Sequence, residues 1–571
     1  MDTQLFDLPS ELLLKIFAQL DLRELRALVC TSRRTNALAI PILVDLTCPQ
    51  IRTQRRCQIT SISEYSVYPF RLAFSLPPIR LRSAWFNIVA SHCDLVKGIH
   101  GVADILLRVG PGMEKARLSF AVSQWGATGQ RRIKQAVDKS VWVKEILGVL
   151  GMLLDRGCEV VEIDGTQDDL RLLSSPSHHN YFEGNWIGSI SRALAPPTAH
   201  ASGEHTRRLS LSRLWGSRTT NHTDSEETPG ATQRTREIAL RNCDCMYQPF
   251  ILSHTIAFVN SVSVQCLRLD SRTMSKDDWG LCLTTLLLPN LTTCEFGVRR
   301  AEGADVSYNS RTMDSVDLLY FLGRHPTIKV FHIAREVPED GRLRNLAIPT
   351  RMKLEKSQPL LPLAEEVKGS VRFFHDLLQW NCEAVGPKDV FPTLQHVYVE
   401  PGYLPKGDLN SSFISLHRTL AFISAIHKAG GLQSLTRLGI DSQTYASVAQ
   451  FTALDLLVSE GNLLSASLSA LPDPPRLVLP FIRTVTLATF EWINKAAAGY
   501  TDAETRAIFR QVQALFPGAT DLHFGLMKSG VWSSLKLEWV KREVANVCPV
   551  LERIHPGHVG GSETVVELGE Y

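Results

Sequence analysis

The chain of 571 residues has almost no excess of either charge. Its 61 lysines and arginines are balanced by 58 aspartates and glutamates, which leaves a formal net charge of +3. Nucleic acids and acidic membranes attract proteins through clusters of positive charge, so this balance argues against both classes of partner. The hydrophobic fraction of 44% and the charged fraction of 21% are ordinary for a soluble protein.

Long hydrophobic runs are also missing. The uncharged apolar run from Trp279 to Cys294 is shorter than a bilayer span and contains Pro289 and Asn290. Lys15 interrupts the apolar N-terminal segment, so we expect neither a signal peptide nor a transmembrane segment. The 12 cysteines are scattered without paired spacing, which indicates a reduced compartment. We therefore expect the chain to be cytoplasmic, nuclear or both.

The motifs of common enzymes are absent as well. The chain has no Gly-x-Ser-x-Gly elbow, no glycine loop that ends in Lys-Ser/Thr, and no His-Glu-x-x-His helix. Cys243, Cys245 and His254 are conceivable metal ligands, but no second close pair completes a tetrahedral site, which favours core or loop cysteines. We predict no catalytic residue, no cofactor and no metal site. A hydrolase or transferase in the C-terminal region is the less favoured alternative.

A helical pattern is present at residues 8–43. Pro9 precedes apolar residues spaced by three and four, which form one stripe on a helix: Leu12, Leu13, Ile16, Phe17 and Leu20. Asp21 and Glu24 match a capping box for a second helix, and Thr31 or Ser32 can begin a third. A unit of about 40 residues cannot enclose so many large side chains. We therefore expect another polypeptide to cover part of the stripe.

This segment resembles the F-box, with its Leu-Pro-x-Glu-Leu, Ile-Phe and Val-Cys elements. The matching residues are Leu8, Pro9, Glu11, Leu12, Ile16, Phe17, Leu20, Leu25, Val29 and Cys30. The resemblance implies docking to the Skp-family adaptor of an SCF-type cullin–RING ubiquitin ligase, through Leu8, Pro9, Leu12, Leu13, Ile16, Phe17, Leu20, Leu25 and Val29. Thr35 stands where the family usually has an aromatic residue, so we expect a weaker anchor for the third helix. The alternative is an ordinary N-terminal helical cap.

A second pattern recurs in the rest of the chain, where a proline is followed by apolar residues at plus two, plus five and plus seven. Clear copies begin at Pro111, Pro289, Pro326, Pro392, Pro480 and Pro517, and weaker copies end at Ile163, Leu269, Ile440 and Ile554. The last two apolar positions alternate with polar residues, as in a short strand with one buried face. Helical spacing precedes most copies, at 142–154, 315–322, 371–380, 420–426, 503–515 and 537–547.

Helix, proline turn and short strand thus form a unit, and such units stack because none can bury its apolar face alone. The arrangement resembles degenerate leucine-rich repeats. This resemblance implies an α/β solenoid with short parallel strands on the concave side and helices on the convex side, although the Asn or Cys expected after the strand is absent. The alternative is an irregular α/β domain with several crossovers, which produces the same local alternation.

Two segments lack the pattern. We predict a mobile insertion at 174–236, because its Ser, Thr, His, Gly and Pro residues cannot bury enough apolar surface to offset chain entropy. We predict a surface excursion at 342–368. The expected domains are the F-box at 1–47, the first repeat-like units at 48–173, the insertion at 174–236 and the main repeat-like region at 237–571.

These patterns lead to one functional hypothesis. The chain is a non-enzymatic substrate-recognition subunit that binds the Skp-family adaptor, and through it cullin, while outward strand residues bind an unidentified target protein. The candidates for target contact are Lys329, His332, His396, Tyr398, Arg437 and Thr486. The alternative is a leucine-rich-repeat-like scaffold that acts without ubiquitin transfer.

Overall fold

The chain divides into two compact units, one of Met1–Asn290 with Arg300–Val306 and one of Leu291–Arg299 with Ser307–Tyr571. The structure is a computed structural model. It describes residues 8–59, 67, 69–71, 78–89, 95–121, 139–165, 235–241, 243–271, 274–297, 313, 315–334, 358–400, 409–441, 477–488, 502–525, 534–555, 558–559, 562–563 and 566–567.

The first unit begins with a helical part and continues as alternating strands and helices. The helical part is α1 (Ser10–Phe17), α2 (Leu22–Val29), α3 (Arg33–Thr47) and α4 (Gln50–Gln54). The elements that follow are β1 (Arg56–Ile59), β2 (Ser83–Val89), α5 (Leu95–Leu106), β3 (Lys115–Ala121), α6 (Lys139–Asp155), β4 (Val160–Asp164), β5 (Glu237–Arg241), α7 (Pro249–Asn260), β6 (Cys266–Asp270) and α8 (Lys276–Thr285).

The second unit repeats the alternation. Its elements are β7 (Thr293–Gly297), α9 (Ser315–Arg324), β8 (Val330–Ala334), β9 (Glu366–Ser370), α10 (Val371–Val385), β10 (His396–Glu400), α11 (Leu409–Lys428), β11 (Arg437–Asp441), β12 (Thr484–Ala488), α12 (Asp502–Leu515), β13 (Asp521–Gly525), α13 (Ser534–Val547) and β14 (Arg553–His555). Three short strands follow, β15 (His558–Val559), β16 (Ser562–Glu563) and β17 (Val566–Glu567).

Strands that follow one another in the chain are neighbours in the sheet. In the first unit β1 to β6 pair in order, and in the second β7 to β14 do so, every pair being parallel. At the end of the second unit, β17 pairs with β14 in the antiparallel sense. This is the strand order of stacked repeats. The predicted fold class is confirmed: the first unit has N-terminal helices followed by alternating helices and short parallel strands, and the second unit continues this alternation.

The strand register aligns the plus-five apolar residues into one buried row in each unit. Row members are direct partners on neighbouring strands: Cys57, Ala84, Ala116, Val161, Ile238 and Leu267 in the first unit, and Cys294, Phe331, Val367, Val397, Leu438, Val485, Leu522 and Ile554 in the second. A shift by one residue would turn these side chains outward, so burial fixes the register.

The recurring proline has a specific place in the backbone. It is the second residue of a turn that joins the preceding segment to the strand, a position that suits its fixed φ. The residue two places after the proline donates its N–H to the carbonyl of the residue that precedes the proline. Examples are Ile328 to His325, Leu394 to Phe391 and Ile482 to Leu479. The predicted unit of helix, proline turn and strand is therefore confirmed at the Pro326 and Pro392 copies, and the turn and strand are confirmed at the Pro480 copy.

The predicted surface excursion at 342–368 is wrong at its C-terminal end. Residues 342–357 lie outside the described residues, whereas Glu366–Ser370 form β9, which pairs with β8 and β10. Pro362 begins this copy, and Ala364 donates its N–H to the carbonyl of Leu361. The copy is hard to see in the sequence because Gly369 occupies the plus-seven position. A Cβ atom there would lie 2.7 Å from the ring of Phe373, which fills the space instead.

Strands β1, β2 and β5 are also absent from the sequence-based copies. The predicted insertion at 174–236 lies outside the described residues except for its last two, and Thr235 is buried with its hydroxyl 2.6 Å from the carbonyl of Cys158. Among the helices that the structure describes, none combines the length and the apolar character that crossing a bilayer requires.

Candidate functional site

The first helix is built around the carbonyl of Pro9. Pro9 occupies the N-cap position, and its carbonyl accepts the backbone N–H groups of Leu12 and Leu13, each at 3.1 Å. Leu13 and Phe17, four residues apart, are fully buried, and α1 and α2 both pack against α3. The Nη2 atom of Arg34 on α3 donates to the carbonyl of Leu8 at 2.7 Å, which ties the start of α1 to α3.

The predicted capping box at the second helix is confirmed. Asp21 accepts the backbone N–H of Glu24 at 2.8 Å, and the Glu24 carboxylate accepts the backbone N–H of Asp21 at 2.9 Å. These bonds satisfy two N–H groups that would otherwise lack partners at the helix start. Leu25 and Val29 of this helix are buried.

Thr35 has a polar role in place of the aromatic residue expected there. Ser32 caps α3, and the fully buried Thr35 completes the capping box by accepting the backbone N–H of Ser32 at 3.1 Å. Its hydroxyl also donates to the carbonyl of Ser32 at 2.9 Å and lies 3.0 Å from the hydroxyl of Thr31. The third helix is thus held at its start by hydrogen bonds instead of ring packing.

The helical module leaves an apolar surface. Leu12 is 45% exposed and Ile16 is 37% exposed, although both are large aliphatic residues. With the exposed Pro9, they follow helical steps of three and four and so line one side of α1, which we call the α1 face. Leu14 and Leu22 are also exposed.

The structure divides the predicted adaptor-binding residues into two groups. Leu13, Phe17, Leu25 and Val29 lie in the core of the module, where they hold the helices together. Pro9, Leu12 and Ile16 are exposed, and Leu8 and Leu20 are half-buried. The buried group would support an interface indirectly, whereas the α1 face offers side chains for direct contact.

The F-box domain family model matches residues 5–40. Residues 5–40 are an F-box domain. The match begins before α1 and ends inside α3, so it covers the whole α1 face. None of the curated proteins matches the chain. The F-box domain indicates a role in docking to a Skp1-like adaptor of SCF-type ubiquitin ligases, and F-box proteins are generally non-catalytic.

Beyond the F-box domain, the second unit presents a polar outward surface on its sheet. The side chains between the buried rows form two parallel rows, which we call the outward rows. One contains Glu366, His396, Arg437, Thr484, Asp521 and Arg553, and the other His332, Lys368, Tyr398, Gly439, Thr486, His523 and His555. Five of the six residues predicted to contact a target lie in these rows. The sixth, Lys329, comes immediately before β8.

Glu366 lies at the centre of a charged cluster on these rows. His332 Nε2 is 2.7 Å from its Oε1, and His396 Nδ1 is 3.5 Å from its Oε2. These hydrogen bonds, led by that from His332, hold the pKa of Glu366 well below its ordinary value. Glu366 is not among the predicted contact residues because its strand falls in the segment predicted to be a surface excursion.

An aromatic residue lies next to this cluster. The ring of Tyr398 lies over Gly439, where a Cβ atom would be only 2.1 Å from the ring. The Lys368 ammonium is 4.8 Å from the centre of the same ring, within the range of a cation–π contact. Gly439 therefore provides the space that lets Tyr398 lie flat on the sheet.

The first unit has an outward surface of its own that the sequence analysis missed. Trp85 on β2 is partly exposed and donates its Nε1–H to the Ser119 hydroxyl at 3.0 Å. The Arg117 guanidinium lies 5.2 Å from the Trp85 ring and also pairs with Asp164. Trp85 is recognisable only after β2 is assigned, because it then falls between the buried Ala84 and Phe86.

Cys243 and Cys245, predicted to be core or loop cysteines, lie in the core. Both are buried in the first unit, with their sulfur atoms 3.4 Å apart. Burial also lowers the pKa of His254. A buried thiol pair of this kind contributes packing and is not accessible to a reactant.

Proposed function

We propose that the chain is the substrate-recognition subunit of an SCF-type cullin–RING ubiquitin ligase. The observation that carries this proposal is the exposed α1 face of the F-box domain. An apolar strip of Pro9, Leu12 and Ile16 costs free energy in water and gains it when a partner covers it. The Skp-family adaptor is the partner that the F-box domain indicates, and cullin joins through the adaptor.

The repeat region has the complementary role in this proposal. Its outward rows bind a target protein, with Lys329, His332, His396, Tyr398, Arg437 and Thr486 as contact residues and Glu366 and Lys368 as their neighbours. Support comes from the register, which brings residues from strands far apart in the chain onto one surface. Repeat units of this kind, which we regard as leucine-rich-repeat-like, commonly present such extended binding surfaces.

The chain performs no bond chemistry in this role. It holds a target near the conjugating enzyme and raises the local concentration of the target's lysines, so transfer becomes effectively intramolecular. We assign 1–47 to the F-box, 48–173 and 237–571 to repeats, and 174–236 to an insertion. We place the complex in the cytoplasm, the nucleus or both, and infer degradation of the target as its outcome.

Affinity purification followed by mass spectrometry tests the proposal. The wild-type chain should recover adaptor, cullin and, after proteasome inhibition, an enriched target. Leu12→Ala with Ile16→Ala should recover much less adaptor and cullin but keep the target. Tyr398→Ala with Arg437→Glu should lose the target and keep the adaptor. Recovery of adaptor and target without cullin would contradict a ligase role and favour a scaffold.

A further inference from the structure

Three potential metal ligands lie together on the last parallel strands of the second unit. Asp521 and His523 are two residues apart on β13, so their side chains are on the same face of the sheet. His555 on β14 is the direct register partner of His523. The ligand atoms of all three residues lie within 4.8 Å of one another.

The local geometry brings these groups close in a sheltered place. The rings of His523 and His555 stack with their centres 3.8 Å apart and their planes 6° from parallel. Nε2 of His555 is 3.9 Å from Oδ1 of Asp521. Asp521 is buried, and the His555 side chain is only 15% exposed. Because a cation held here would be partly shielded from water, its attraction to the carboxylate would be stronger than at an open surface.

We propose that Asp521, His523 and His555 form a binding site for a divalent transition-metal ion, with zinc as the best match. Two imidazole nitrogens and one carboxylate oxygen are a donor set that zinc accepts, with water in the fourth position. Bonds of about 2.0–2.1 Å in a tetrahedral site separate ligand atoms by roughly 3.3 Å. Metal binding would therefore draw ligand atoms that now lie within 4.8 Å of one another closer together, and it would tilt the stacked rings so that both nitrogens face one ion.

This inference replaces the sequence-based expectation of no metal site. Spacing in the sequence reveals only close pairs such as Cys243 and Cys245, whereas these ligands come from two strands separated by a helix. The inference is also independent of the proposed function, because it requires neither adaptor nor target.

Arg553 would compete with a metal ion for the Asp521 carboxylate. Its Nε lies 2.6 Å from Oδ1 of Asp521, and its Nη2 donates to Oδ2 at 3.2 Å. The Thr520 hydroxyl donates to Oδ2 at 2.8 Å and would continue to orient the carboxylate if Oδ1 turned to a metal ion. Half of the Arg553 side chain is already exposed, so it can move into solvent. Metal binding and the Arg553 ion pair should therefore oppose each other.

Zinc titration of the purified full-length chain, after treatment with a chelator, tests the proposal by calorimetry. His523→Ala with His555→Ala should remove one equivalent of zinc or weaken its binding more than 100-fold, since loss of even a group that supports a metal ligand costs about 10–100-fold. Arg553→Gln should strengthen binding by releasing Asp521. The matched control is His332→Ala with His396→Ala, which removes two histidines from the same outward rows and should leave this equivalent intact.

A second variant guards against misfolding of the double histidine variant. Asp521→Asn keeps the side-chain shape and should weaken zinc binding while circular dichroism stays like that of the wild type. Cobalt substitution should give visible bands of a tetrahedral nitrogen and oxygen site without thiolate charge-transfer bands. The proposal is overturned if the wild type takes up no zinc at micromolar concentration, if Asp521→Asn and the histidine variant bind as the wild type does, or if thiolate bands account for all the bound cobalt.

Discussion

Truncation of the α1 face should weaken adaptor binding, and the exposed fractions of Leu12 and Ile16 determine how much binding free energy is lost. Complete burial of a leucine or isoleucine side chain is worth about 1.5–3 kcal/mol. Leu12 is 45% exposed and Ile16 is 37% exposed, so the partner removes roughly two fifths of each surface from water. Leu12→Ala with Ile16→Ala should therefore cost about 1–2.5 kcal/mol, which is roughly a 5–60-fold increase in Kd.

The control for this test comes from the same unit. Leu107 is 61% exposed and Leu287 is 56% exposed, and both lie outside the F-box domain. Leu107→Ala with Leu287→Ala removes similar exposed apolar surface and should leave Kd unchanged. Calorimetry with the purified Skp-family adaptor measures both. Equal Kd values for wild type and Leu12→Ala with Ile16→Ala would refute the assignment of the α1 face as the contact.

Three further predictions concern stability and reactivity. Phe17→Ala should lower the free energy of unfolding of the N-terminal module by about 3–5 kcal/mol, because it empties a fully buried position; chemical denaturation monitored in that module checks this. Glu366→Gln should lower the free energy of unfolding by about 0.5–1 kcal/mol. Because the pKa of Glu366 in the folded chain lies below its ordinary value of 4.5, this difference should be present above about pH 4.5 and disappear as the pH falls further. Denaturant titrations at several pH values check this. In alkylation followed by mass spectrometry, the exposed Cys30 should react while Cys282, whose pKa burial raises to about 12, should stay protected until the chain unfolds.

The inward half of the fold was predictable because each inward position obeys a local rule. A plus-five residue must be apolar to join the buried row, and a proline suits the second position of the turn. Where these rules relax, prediction from sequence failed. Gly369 breaks the apolar spacing of β9 because Phe373 from the following helix supplies the missing volume. That compensation comes from another element, so no local pattern contains it.

The sequence predicted different amounts of detail for the F-box domain and for the outward surface of the sheet. The order of sequence elements in the F-box domain identifies the helical module. The sequence does not show that Leu12 is exposed and Leu13 is buried, because this difference arises only when α1 packs against α3. On the sheet, the alternation of strands identified His396 and Arg437 as outward. It could not pair His523 with His555, since their register depends on turns and a helix between the two strands.

The two surfaces should respond differently to solution conditions because their chemistry differs. The α1 face is aliphatic, so its association with an adaptor rests on removal of apolar surface from water, a contribution that moderate salt does not screen. The outward rows consist largely of charged and hydrogen-bonding groups, and several already pair with one another, as His332 does with Glu366 at 2.7 Å. A target must compete with such pairs, and salt screens both the internal and the intermolecular attraction. Added salt would therefore release a target held by the outward rows before it releases the adaptor, a property that allows one chain to keep its ligase connection while it exchanges targets.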